Sequence, residues 1–158
     1  MFKRFILMLM VGGSMLVMTA CHTVPYTGRT QFLMTSESEE KELGEQAWKE
    51  LQKQEREDTN PVYVNALKRV GANISKVVDK PDYKWEFKVF KNDTPNAFCL
   101  PGGKVGVYSG LFKYAANDAE LAAVVGHEIG HAIARHGGER MTQNTIQGVG
   151  AEVMKTAT

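Results

Sequence analysis

The 158-residue sequence has little cysteine (two residues) and little proline (five). It also lacks any excess of one charge. Nineteen Lys and Arg face 18 Asp and Glu, for a net charge of +1, which gives no case for nucleic acid or another polyanion as a partner. No apolar run is long enough to cross a bilayer comfortably, and no internal repeat or low-complexity tract is visible. What remains is ordinary for a folded domain. Hydrophobic residues make up 43% and charged residues 23%, which excludes disorder over most of the chain. The length allows one modest domain plus appendages.

The appendage is at the front. Lys3 and Arg4 precede an almost wholly apolar run, Phe5 to Met18, and Thr19-Ala20 supply small residues ahead of Cys21. This is the layout of a secretory signal peptide over residues 1–20. Met18-Thr19-Ala20-Cys21 resembles the lipobox of bacterial lipoproteins, with Met18 where Leu is usual. The resemblance implies that Cys21 is acylated and becomes the mature N-terminus, held to the membrane by several acyl chains. His22, which is not Asp, resembles the sorting pattern for the outer membrane, facing the periplasm. Cys99 is then the remaining thiol, no intramolecular disulfide is possible, and Cys99 reads as a small packed hydrophobe.

Residues 21–35, with Pro25 and Gly28, read as a tether. Ser36 and Glu39 form a capping box, and Leu43, Ala47 and Leu51 predict an apolar stripe on a helix running to about Glu57. Asn60-Pro61 starts a second helix, carried by Val64, Leu67, Gly71, Ile74 and Val78. Tyr83 to Lys91 alternates as a half-buried strand, and Asn92 to Pro95 is a turn. Two short strands flank Pro101-Gly102-Gly103. Asn117, with Glu120 three residues on, opens another helix that is predicted to stop near His136-Gly137-Gly138. A further helix begins around Met141.

That third helix carries His127-Glu128-Ile129-Gly130-His131. The i, i+4 spacing places both imidazoles on one helix face, where they can share one Zn²⁺. Glu128 sits roughly 100° round the helix from His127 and can take a proton from a metal-bound water without being a ligand. A bare five-residue match also arises by chance, but the flanks Leu121 to Val125 and Ala132 to Ala134 read as core-embedded, and buried histidines and glutamate need partners. Gly126 and Gly130 suggest either close approach of another backbone or simple helix packing. The third ligand is open. Ala134 and Gly137 stand where a metzincin needs glycine and histidine. His136 falls opposite His127 on a continued helix and reads as a C-terminal histidine at the helix dipole. Glu139 and Glu152 are the later carboxylates of suitable type.

Asn96 to Gly103, Tyr108 to Leu111 and His127 to His136 together resemble the HtpX/Oma-like zinc endopeptidases, metallopeptidase family forty-eight, and among them the secreted lipoproteins. The resemblance spans roughly Ser36 to the end. It implies an α+β, mainly helical, gluzincin-like domain with a small sheet beside the motif helix. It further implies one Zn²⁺ held by His127 and His131, with Glu128 catalytic, and Asn96, Ala97 and Phe98 on the edge that binds polypeptide substrate. Its third ligand is a glutamate in a downstream E-x-x-x-D helix, which does not occur before Thr158. Residues 36–158 are therefore expected to be the N-terminal part of that domain, with incomplete coordination. The function implied is hydrolysis of misfolded or membrane-associated proteins in the bacterial cell envelope. A catalytically silent lipoprotein that binds partners through the same fold is the second reading.

Overall fold

The structure, a computed structural model, describes residues 21–156, with side chains as far as residue 148. The leader read at residues 1–20 lies outside the described residues. The chain divides into two compact units, one of residues up to Ser36 together with those from His136 on, the other Glu37–Arg135. Among the described residues, no helix is long and apolar enough to cross a membrane.

The first unit holds an antiparallel hairpin, β1 (Cys21–Thr23) and β2 (Thr30–Phe32), in the stretch read as a tether. Its loop turns through left-handed Tyr26 and Gly28. Val24, Gln31 and Leu33 are buried. The same unit contains a helix, His136–Thr156, in which Thr142 Oγ1 accepts the Met34 N–H at 2.9 Å and Glu139 receives both terminal nitrogens of Arg29.

The second unit is layered. Helix α1 (Glu37–Gln54) covers one face of a three-stranded sheet of β3 (Glu86–Phe90), β4 (Ala97–Leu100) and β5 (Lys104–Tyr108). Helices α2 (Pro61–Val77) and α3 (Asp118–Ile133) cover the other. The strand order is β3-β5-β4, with β3 parallel and β4 antiparallel to β5. Alternation divides the side chains. Val89, Val105, Val107 and Ala97 join Leu67, Val70, Leu121, Val125 and Ile129 in the main core. Phe90 and Phe98 turn to the α1 side, where the Trp48 ring meets both edge-on. This is the α+β body with a small sheet that the sequence implies.

Local signals explain most boundaries. The Asn60 side chain accepts from Val62 N–H ahead of Pro61. The Asn117 side chain accepts from Ala119 and Glu120 N–H, while Glu120 returns a bond to Ala116 N–H at 2.7 Å. The expected stripe of α1 is displaced, however. The buried positions are Glu40, Gly44 and Trp48, while Leu43 and Ala47 are exposed. The cause is chemical. Trp48 buries more area than Leu43 or Ala47 could, Glu40 is paired with a cation, and a Cβ at Gly44 would collide with the Pro101 carbonyl. The end of α3 also differs from expectation. The helix stops at Ile133, Arg135 adopts φ 55°, and His136 begins the next helix instead of closing this one.

Candidate metal and peptide site on helix α3

Leu121, Val125, Ile129 and Ile133 repeat every four residues and are buried, fixing which face of α3 meets the core. His127 and His131 are each two residues from that row, roughly 200° round the helix. They are therefore exposed, and Glu128 is half-buried. The apolar flanks embed the helix but not its histidines, which corrects the burial expected from sequence. Among the described residues, nothing lies within 4 Å of a would-be Cβ at Gly126 or Gly130.

The two imidazoles converge. Their Nε2 atoms lie 3.0 Å apart and the rings are nearly perpendicular, with centroids 4.5 Å apart. Two nitrogens bound tetrahedrally to one zinc at ~2.0–2.1 Å would stand about 3.3 Å apart, so the pair fits as two ligands of such an ion. Among the described residues, no third His, Cys, Asp or Glu joins them in a group able to hold a metal. Of the later carboxylates named from sequence, Glu139 is paired with Arg29, and the Glu152 side chain lies outside the described residues. His136 stands at the start of its own helix, not at the C-terminus of α3.

Strand β4 packs on α3, with Ala97 buried in the shared core. Cys99 lies close enough to Glu128 to feel its charge. Burial, reinforced by that charge, pushes the Cys99 thiol up to about 12. Cys99 packs against the core, as its apolar neighbours suggest. The far edge of the sheet is closed, because Glu57 bridges Phe90, Asp58 N–H donates to Val89 and Lys91 N–H donates to Arg56. The outer edge of β4 is open among the described residues.

The ladder register decides what that edge presents. Tyr108 N–H donates to the Asn96 carbonyl at 2.9 Å, so Asn96, Phe98 and Leu100 face β5 with their main-chain groups. By the alternation of antiparallel pairs, those of Ala97 and Cys99 point outward. Of the three residues named from sequence, Ala97 offers main chain, and Phe98 offers neither main chain nor a free ring. Asn96 is exposed, but it does not cap the turn after Pro95. The side-chain bond in this turn lies ahead of Pro95, where Asn92 Oδ1 accepts the Thr94 N–H at 3.0 Å. Sequence reading missed Cys99, whose outward main chain could have been found by counting back from the Pro101-Gly102-Gly103 turn.

Two histidines at i, i+4 on one helix face, with a glutamate after the first, are the pattern of a metalloprotease helix. The chain belongs to peptidase family M48, whose profile matches residues 63–157. It is 36% identical over 136 residues to the mitochondrial metalloendopeptidase OMA1 of Schizosaccharomyces pombe, covering 84% of this chain and 40% of that protein. The OMA1 of Arabidopsis thaliana is 52% identical over 60 residues, 38% of this chain and 12% of the relative. The beta-barrel assembly-enhancing protease of Escherichia coli is 28% identical over 114 residues, 72% and 23%. The chain thus spans less than half the length of these curated relatives.

Proposed function

We propose that this chain carries the proton-handling and two-histidine part of a zinc-dependent endopeptidase that is lipid-anchored in the bacterial envelope. The observation that carries the reading is the convergence of His127 and His131 on the exposed face of α3, next to the open edge of β4. Zinc, when bound, supplies the Lewis acidity that activates water and polarises the scissile carbonyl. His127 and His131 would hold it, with a third protein ligand that the family resemblance makes a glutamate. Glu128, one residue round from His127, takes the proton from the attacking water and passes it to the leaving amine. An extended peptide adds to β4 by main-chain hydrogen bonds to Ala97 and Cys99, and exposed Asn96 lies at the end of that strand.

Acylation of Cys21 after removal of residues 1–20 fixes residues 21–35 at the outer membrane and leaves residues 36–158 in the periplasm. The substrates proposed are misfolded or membrane-associated envelope proteins, since a strand read through its main chain must already be unfolded. The test pairs zinc stoichiometry with casein cleavage. Glu128→Gln should retain the zinc of the unaltered chain and abolish whatever cleavage that chain shows. Persistent cleavage would remove Glu128 from the chemistry. Cys21→Ser should release the protein from membranes, and retention there would assign anchoring to another element.

A further inference from the structure

We propose that the outer face of the β1–β2 hairpin is a membrane-contact surface, with Phe32 and Met34 seated where the headgroups of a phospholipid bilayer meet its acyl chains. The proposal rests on the reading of Cys21 as the acylated residue and deepens it. The hairpin alternates cleanly. Val24, Gln31 and Leu33 are buried, whereas Cys21, Thr23, Thr30, Phe32 and Met34 are exposed. Cys21 pairs directly with Phe32, and Thr23 with Thr30. Residues directly opposite in a ladder share a face, with Cβ atoms about 4.5–5.5 Å apart. Acyl chains on Cys21 therefore bring the exposed Phe32 ring into the headgroup layer, because a neighbouring strand lies only ~4.8 Å away.

The composition of this face suits that position. Among the described residues exposed on this face, Cys21, Thr23, Thr30, Phe32 and Met34, none carries a charge whose desolvation would oppose contact. Arg29, at the end of the loop, is committed to Glu139 through bonds of 2.8 and 2.6 Å. Phe32 is 42% exposed, Met34 57% and Tyr26, in the loop, 80%. An aromatic ring with a hydroxyl tip is at home in the interfacial layer. Apolar contact beside the lipids adds to the anchoring of the acyl chains and restricts how the hairpin can rotate about them.

The experiment uses the full-length mature chain carrying Phe32→Trp, purified from membranes and reconstituted into phosphatidylethanolamine–phosphatidylglycerol vesicles. Acyl chains brominated near the headgroup or near the methyl end serve as quenchers, and the unsubstituted chain gives the background of Trp48 and Trp85. The expected result is a blue-shifted added emission, quenched more by the shallow bromines than by the deep ones, because interfacial side chains sit roughly 5–10 Å into the boundary. Mass spectrometry of the N-terminus and vesicle flotation separate the two ideas. An unacylated Cys21 would overturn the anchor and this surface together. A chain that is acylated and floats but shows no quenching would leave the anchor standing and overturn the surface. A blue shift without quenching that grows with protein density would assign the face to a second copy, and would equally overturn the proposal.

Discussion

The guanidinium of Arg135 forks onto both carboxylate oxygens of Glu40, with Nε–Oε2 at 3.0 Å and Nη2–Oε1 at 2.8 Å, across 95 positions of sequence. Both side chains are buried, at 8% and 2% exposure. The pair ties the chain just past the motif helix to the inner face of α1. Either Arg135→Met or Glu40→Met breaks a buried, bidentate ion pair and should cost about 3–5 kcal/mol. The double variant should cost less than the sum of the two single changes, because the interaction they share is lost only once. Urea unfolding measures all three, and a double variant as weak as the sum of the singles would contradict this account.

The histidine pair makes a prediction about metal. Either His127→Ala or His131→Ala leaves too few ligands and should abolish zinc retention through dialysis. Stability in the absence of metal should change little, because both side chains are exposed. Full zinc retention by either variant would remove that residue from the site.

Cys99 makes a prediction about reactivity. With its thiol pushed up to about 12 by burial and the nearby Glu128 charge, little thiolate exists near pH 8. Alkylation of the native protein should be roughly a thousand-fold slower than that of an ordinary thiol. Denaturation should restore the ordinary rate. Rapid labelling of Cys99 in the folded state would show the strand to be loosely packed.

Acid should weaken the α1–sheet contact. Hydrogen bonds from Lys104 and then from Trp48 hold the Glu86 carboxylate below the usual carboxylate range. The folded value is depressed, so this stabilisation is present above the unfolded value. It is lost as pH falls below about 4.5 and through the folded value. Melting temperature should fall across that window. Glu86→Gln should melt lower at neutral pH and respond less to acid, and an unchanged acid slope would count against the assignment.

Asn96 separates a structural role from a substrate role. Because Asn96 is exposed, Asn96→Ala should change stability by less than about 0.5 kcal/mol. On the proposed function it should lower peptide cleavage. Loss of stability with cleavage per folded molecule unchanged would return Asn96 to a structural role.

The helices, strands and motif helix were legible because their signals are local: Asn60-Pro61, Asn117 with Glu120, the alternation before Lys91, and the i, i+4 histidines. What escaped the sequence depended on partners far along the chain. Glu40 and Gly44 look like surface positions until Arg135 and Pro101 arrive, so the apolar stripe of α1 was placed about one residue round the helix. Apolar neighbours around His127 marked the helix as embedded, but which side was embedded depends on the phase set by Leu121, Val125 and Ile129. The end of α3 was placed late because Arg135, not a glycine, takes the left-handed turn.

The sheet has one sealed edge and one open edge, and that asymmetry limits how the protein can misassociate. Two copies meeting through their β4 strands would close a two-fold pair, with Glu57 and its neighbours shutting both outer margins. Among the described residues, such a pair leaves no free margin in this three-stranded sheet from which to recruit a third copy, so growth through this sheet ends there instead of running on into a fibre. The β4 edge can thus stay open for an incoming strand without this sheet becoming a template for open-ended growth.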